Sequence, residues 1–256
     1  MIYDYYMKRR PLLWEMLKFL RRRELAFVRV YDGKTSRHLN VIKMSYFLNI
    51  LKRFYNTNKP IYHTFASIEW VKKFRGKERI WLKKEWIRYG WDLVLDIDSE
   101  GEDVEERLKL SHKKARKIVN FLVKNGIAFY VHFSGSKGFH IYIPWWYLRK
   151  NGWEADDYGK YNREIAKFIW ENTGVKTDIS TLSRQRDLIR VPYSIHPKTG
   201  LMCYPLTLEQ FRKFDISMAD PEEIDDIAEK NKKVLVEGNS NILAKDKVIG
   251  NGATNI

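Results

Sequence analysis

The sequence predicts a mixed α/β fold, and two features of its hydrophobic pattern indicate this class. Apolar residues recur at helical spacing in several segments. Short apolar runs, bounded by Gly, Asn or charged residues, lie between those segments and are typical of strands. A chain of 256 residues can bury a sizeable core. We expect one folded domain over residues 1–235 and a weakly ordered tail, rich in Asn, Gly and Lys, over residues 236–256.

The first part of the predicted domain covers about residues 1–90. Apolar residues repeat at helical spacing from Pro11 to Leu25 and again from Arg37 to Tyr55, so both segments are predicted to be helices. Aromatic and basic residues dominate residues 59–89, where we expect short strands and loops. The N-terminal region is therefore predicted to be largely helical.

The second part covers about residues 91–215 and alternates strands with helices. A strand is predicted at 91–98, and an amphipathic helix at 102–124 ends at Asn125 and Gly126. The later elements are two strands at 127–133 and 139–143 joined by a tight turn, a helix at 155–172, strands at 188–191 and 201–204, and helices at 208–214 and 221–230.

The charge balance indicates a polyanionic partner. The chain has 47 Lys and Arg against 32 Asp and Glu, which gives a formal charge of +15. Nucleic acid is the commonest such partner, and a merely basic protein or an acidic protein partner remain alternatives. The chain contains neither an apolar run that could span a bilayer nor a secretory signal, so we expect an intracellular protein, in the cytoplasm or nucleoid if prokaryotic. Cys203 is the only cysteine and cannot build an internal disulfide or a multi-cysteine zinc site.

A pair of carboxylates ends the strand predicted at 91–98. Because side chains alternate along a strand, Leu95 and Ile97 point one way while Asp96 and Asp98 point the other. Two carboxylates side by side repel unless a cation lies between them, and hard oxygen ligands favour Mg²⁺ or Mn²⁺. The alternative is a strand that runs into an acidic surface loop.

A glycine-rich turn follows at residues 134–138. Its two glycines allow backbone N–H groups to converge on an anion, Lys137 adds a positive charge, and Ser134 and Ser136 add hydroxyl donors, a combination that fits a triphosphate. His140 alternates with apolar neighbours, so we expect it on the face away from the core, within reach of a phosphate oxygen. The alternative is an ordinary hairpin with a satisfied histidine.

A third constellation follows the helix at 155–172. Asp178 supplies another carboxylate, while Arg190, His196 and Lys198 form a run of cations suited to phosphates and a template strand. A basic loop on a basic protein is the alternative interpretation.

Taken in order, these motifs resemble the motif series of the archaeal and eukaryotic primase small subunit. The series is Asp-Ile-Asp at 96–98, Ser-Gly-Ser-Lys-Gly-Phe-His at 134–140, Thr-Asp-Ile at 177–179 and Leu-Ile-Arg-Val-Pro-Tyr-Ser-Ile-His-Pro-Lys-Thr-Gly at 188–200. The resemblance covers about Asp92 to Phe214. It implies the archaeo-eukaryotic primase catalytic fold, in which a module related to the RNA-recognition fold is flanked by an N-terminal α/β unit.

The resemblance also implies an activity and a set of roles. The activity is that of a DNA primase, a nucleotidyltransferase that joins nucleoside triphosphates on a single-stranded DNA template. Asp96, Asp98 and Asp178 would hold two Mg²⁺ or Mn²⁺ ions. The nucleotide would contact Ser134, Ser136, Lys137, His140, Arg190, His196 and Lys198, with the template as the alternative contact of Lys198. A primase large subunit is the implied partner, and the family's zinc site is expected to be missing.

Two other functions remain as alternatives. One is a primase-polymerase or repair polymerase of the same superfamily, including the kind attached to bacterial end-joining ligases, which has a similar glycine-rich turn. The His-Pro-Lys-Thr-Gly string at 196–200 favours the replicative primase. The other is a nucleic-acid-binding module without catalysis, which retention of all three aspartates disfavours, because clustered carboxylates weaken phosphate binding unless metals offset them.

Overall fold

A computed structural model of the chain describes residues 2–20, 25–28, 35–38, 43–55, 61–64, 66–68, 88–154, 158–177, 188–196 and 198–224. The predicted mixed α/β class is confirmed within these ranges. The helices are α1 (Ile2–Lys8), α2 (Arg10–Leu20), α3 (Met44–Tyr55), α4 (Val104–Lys124), α5 (Trp145–Lys150), α6 (Tyr158–Thr173) and α7 (Leu208–Arg212). The strands are β1 (Leu25–Val28), β2 (Thr35–His38), β3 (Ile61–Thr64), β4 (Ala66–Ile68), β5 (Arg88–Trp91), β6 (Leu93–Ile97), β7 (Tyr130–Phe133), β8 (Phe139–Ile143), β9 (Leu188–Arg190) and β10 (Tyr204–Leu206).

The N-terminal part contains more strand than its hydrophobic period predicts. Its antiparallel sheet has the order β2-β1-β3-β9. The helix predicted at 11–25 ends at Leu20, and Leu25 begins β1. Likewise the helix predicted from Arg37 begins only at Met44, after β2. Because β1 pairs with β2 on one side and β3 on the other, ladder hydrogen bonds prevail here over a local helical pattern.

The second sheet is also antiparallel, with the order β10-β7-β8-β6. Helix α4 covers one face, where the rings of His112 and Phe139 lie 5.3 Å apart, and it packs against α6 through Phe121 and Phe168. The other face meets α2, since the ring of Phe19 lies 6.5 Å from that of Tyr142. The side chains that alternate along these strands are therefore divided between an apolar core under α4 and a face turned toward the N-terminal part.

Several boundaries differ from the predictions for reasons visible in the structure. The strand predicted at 91–98 is interrupted at Asp92, whose buried carboxylate accepts the Trp145 N–H at 2.9 Å and so anchors the start of α5, a helix absent from the predictions. The later strand is β10 rather than residues 201–204. The helix predicted at 221–230 is only a 3₁₀ turn, Pro221–Glu223, within the described ranges.

The tail at 236–256 lies outside the described residues, and the domain limits remain predictions. None of the helices that the structure describes combines the length and the apolar character needed to cross a membrane.

Candidate active site

The paired carboxylates lie at the end of β6. The side chains of Asp96 and Asp98 are 34% and 43% exposed. Leu95, which precedes them, and Ile97, which lies between them, are buried in the core. Each carboxylate has a basic group nearby. Nε2 of His140 lies 3.8 Å from Oδ1 of Asp96, and Nζ of Lys137 lies 3.2 Å from Oδ2 of Asp98.

Strand register explains the first of these pairs. Strand β6 runs antiparallel to β8, and Asp96 is directly opposite His140. Side chains at opposed positions project from the same face of a sheet. His140 therefore lies on the face away from Phe139 and the α4 core, as the alternation predicted.

His140 is more enclosed than a residue at an open edge. Its relative exposure is 6%, and burial, assisted by the charge of Arg190, lowers the pKa of His140 to about 3. Its charged neighbours are Asp96, at 3.8 Å, and Arg190. The imidazole is therefore neutral at physiological pH, and its Nδ1 is buried without a hydrogen-bond partner.

The predicted tight turn joins β7 to β8. The Ser134 N–H donates to the Gly138 carbonyl at 2.9 Å and closes the turn. The hydroxyl oxygen of Ser134 accepts two further N–H groups, from Ser136 at 3.3 Å and from Gly138 at 3.2 Å. Two backbone donors thus converge on one point, which in this structure is the serine oxygen.

Gly138 lies so close to the end of β6 that no side chain fits there. A Cβ at this position would overlap Oδ1 of Asp98 and lie 2.5 Å from the Ile97 carbonyl oxygen. Glycine is required here by close approach rather than by a left-handed backbone. The turn and the Asp98 carboxylate are consequently packed against each other.

The basic loop after β9 docks on the same turn. The Thr199 hydroxyl donates to the Gly135 carbonyl at 2.6 Å. Gly135 has a φ of +83°, and a Cβ there would meet Cβ of His196 at 3.2 Å. This contact brings the glycine-rich turn and the loop at 190–200 together although they are far apart in the sequence.

His196 organises its own loop. Its Nδ1 accepts the backbone N–H groups of Lys198 at 3.2 Å and Thr199 at 3.3 Å. Burial, followed by the charges of Arg190 and Lys198, lowers the pKa of His196 to about 4. A neutral ring that accepts at Nδ1 carries its hydrogen on Nε2, which leaves that atom as a donor.

Most of the predicted site residues therefore converge on one region. Those brought together are Asp96, Asp98, Ser134, Ser136, Lys137, His140, Arg190 and His196, while Lys198 is exposed on the adjoining loop. Asp178 lies outside the described residues, which end at Thr177 on this side. In the ranges that are described, no three His, Cys, Asp or Glu side chains form a metal-binding group.

Sequence reasoning assigned no role to two residues that shape the site, and it gave Gly138 a role in anion binding but not in the close approach to Asp98. Thr199 belongs to a quoted motif, so its position was a usable signal. Lys114 of α4, whose Nζ donates to the Asp98 carbonyl at 3.4 Å, had no such signal because it is one of several lysines in that helix.

The comparison of structures shows a shared fold. The polymerase domain of Mycobacterium tuberculosis ligase D, solved in complex with DNA, superposes with a TM-score of 0.62 at 15% identity, over 93% of this chain and 92% of that one. The chain therefore shares the fold of that polymerase domain.

Proteins with similar sequences include DNA primase small subunits. No protein family model matches the chain. The DNA primase small subunit PriS of Thermoplasma volcanium is 24% identical over 88% of this chain and 80% of its own length. Its counterparts from Pyrobaculum aerophilum and Pyrobaculum islandicum are 26% and 28% identical, each over 75% of this chain and 73% of their own. The chain is thus similar, over most of its length, to DNA primase small subunits.

Proposed function

We propose that this protein is a DNA primase, the catalytic subunit that joins nucleotides into short primers on single-stranded DNA. The observation that carries the proposal is the convergence of three distant segments: the carboxylates at the end of β6, the turn at 134–138 and the loop at 190–200. Similarity to the DNA primase small subunits PriS of Thermoplasma volcanium and Pyrobaculum aerophilum supports the same activity.

The carboxylate pair fits a divalent cation. Asp96 and Asp98 offer hard oxygen ligands on one face. The charge of Asp98 is offset by Lys137, whereas the His140 imidazole beside Asp96 is neutral and adds no positive charge there. We propose Asp178 as the third ligand. Two bound Mg²⁺ or Mn²⁺ ions would favour deprotonation of the attacking 3′-hydroxyl and offset charge on the pyrophosphate.

The turn and the loop would hold the triphosphate. The N–H groups of Ser136 and Gly138 already converge on one oxygen, and a phosphate oxygen could replace the Ser134 hydroxyl as their acceptor. Lys137, Arg190 and Lys198 would add positive charge. His140 and His196 are neutral and would each donate a single hydrogen bond, with Ser134 and Ser136 contributing hydroxyls.

A polymerase or primase-polymerase of the same superfamily is the second candidate, and the likeness to the ligase D polymerase domain favours it. The two candidates differ in how synthesis begins. De novo products on single-stranded DNA would support the primase, whereas extension of an annealed primer alone would support the polymerase. A catalytic domain at 1–235, a tail at 236–256 and a large-subunit partner belong to this proposal.

The test combines single-stranded DNA, labelled ATP or dATP and either Mg²⁺ or Mn²⁺ with two variants, Asp96→Asn and Asp98→Asn. We expect both variants to lose incorporation while remaining folded, because both carboxylates lie on the partly exposed face. Asp103→Asn is the matched control, since Asp103 caps α4 through the Glu106 N–H and asparagine caps equally well. Full incorporation by both site variants would refute the proposal, and binding of DNA without any product would indicate the non-catalytic alternative.

A further inference from the structure

The outer side of α4 carries cations to which the proposed function assigns no role in nucleotide or metal binding. Between Lys109 and Lys124 the sequence contains no Asp or Glu. The exposed basic residues in this stretch are Lys109, Lys113, Lys114, Arg116, Lys117 and Lys124. Among the residues that the structure describes, no carboxylate forms an ion pair with any of them. We call this set the α4 basic face.

Packing of α4 keeps these side chains in solvent. The opposite side of the helix buries Ala115, Ile118 and Leu122 in the core, so α4 cannot rotate without exposing them. Lys109, Lys113 and Lys117 are four residues apart and follow one line on the surface, at intervals of about 6 Å. Like charges so close together repel one another, so a partner of opposite charge would relieve that repulsion.

The α4 basic face is continuous with the carboxylate end of β6. Lys114 donates to the Asp98 carbonyl oxygen, and Lys137 pairs with the Asp98 carboxylate. A chain of cations thus leads from the edge of the proposed active site onto the outer surface of α4. A nucleic-acid strand that passes the site could continue along this surface and remain in a region of positive potential.

We infer that the α4 basic face binds the phosphate backbone of nucleic acid outside the active site. Nucleic acid provides negative charges at short regular intervals, which matches a row of cations without interspersed acids. An acidic protein would need an equally dense row of carboxylates. The inference goes beyond the proposed function, because backbone binding at α4 requires neither nucleotide transfer nor metal ions.

The test compares two triple variants that remove the same charge. One is Lys109→Gln/Lys113→Gln/Lys117→Gln on the α4 basic face. The control is Lys160→Gln/Lys167→Gln/Lys213→Gln, in which Lys167 and Lys213 pair with Glu171 and Glu209. Binding of labelled single-stranded DNA and of the matching duplex is measured by fluorescence anisotropy, without nucleotide or metal, between about 50 and 200 mM salt.

If three phosphate contacts are lost, the slope of log K against log salt for single-stranded DNA becomes shallower by about 2. At 0.1 M salt each lost contact weakens binding by about fivefold. The control should change both quantities much less, and circular dichroism should show both variants folded. The duplex arm shows which form of nucleic acid the face prefers.

Equal affinity and equal salt slope for the wild type and the α4 variant, on both DNA forms, would overturn the inference and leave an acidic protein as the partner. Loss of affinity equal to that of the control would also overturn it. These outcomes are separate from failure of the proposed function, because the binding assay contains neither nucleotide nor metal. It can be run on the wild type and on Asp98→Asn protein whether or not the wild type incorporates nucleotides.

Discussion

Replacing Gly138 by alanine tests the close packing of the turn at 134–138 against the end of β6. The added Cβ would overlap Oδ1 of Asp98 and lie 2.5 Å from the Ile97 carbonyl oxygen. The side chain of Asp98 can rotate away, but the Ile97 carbonyl belongs to β6 and must move with its strand. We therefore expect a loss of stability and a displaced Asp98 carboxylate in the same variant.

The expected magnitude follows from overpacking in a well-packed site, which costs about 1–3 kcal/mol. For a chain of this size each kcal/mol lowers Tm by about 2–4 °C, so the expected decrease is about 2–12 °C. Metal binding should weaken as well, because Asp98 no longer lies beside Asp96 in the same geometry. Calorimetry measures the first effect, and Mn²⁺ binding followed by electron paramagnetic resonance measures the second.

Gly126→Ala is the matched control. Gly126 has a φ of +66° and open space around its Cα, so the substitution strains the backbone by about 1 kcal/mol without touching the site. It should lower Tm and leave Mn²⁺ binding unchanged. A Gly138→Ala protein with wild-type Tm and wild-type Mn²⁺ affinity would show that Asp98 and the turn are not in contact.

Two further predictions concern the histidines. The pKa of His140 is about 3 in the folded chain, whereas the ordinary value for histidine, which applies to the unfolded chain, is 6.5. Between these two pH values the unfolded chain therefore binds a proton at His140 that the folded chain does not bind. The free energy of unfolding should thus fall on acidification below pH 6.5, with His140 contributing up to about 1.4 kcal/mol per pH unit. Urea unfolding at several pH values should show a shallower decrease for His140→Gln than for the wild type. Identical pH dependence of the two proteins would count against a buried neutral ring. His196→Ala removes the acceptor for the Lys198 and Thr199 N–H groups, so KM for the nucleotide should rise about tenfold while kcat changes less, and an unchanged KM in steady-state assays would contradict a role for this loop in nucleotide binding.

Local pattern was sufficient for the elements nearest the site. The period-two alternation around Asp96 and the apolar run at 139–143 predicted β6 and β8, and β8 has the predicted bounds. In β6 the face under α4 imposes its spacing on alternate residues. In β8 every residue is buried, as a short apolar run bounded by turn residues predicts. The same kind of reasoning failed at Leu25 and at Arg37, where pairing with residues distant in sequence determines the conformation.

The sequence by itself determined the order of the motifs, the residue types available for catalysis and the faces of the strands that carry them. Only the tertiary structure decided that Asp96 lies opposite His140, that the ring of His196 accepts two N–H groups of its own loop, and that Thr199 locks this loop onto Gly135. The physical reason is that periodicity is a property of neighbouring residues. Register, burial and hydrogen bonding between remote segments arise only when the whole chain is packed.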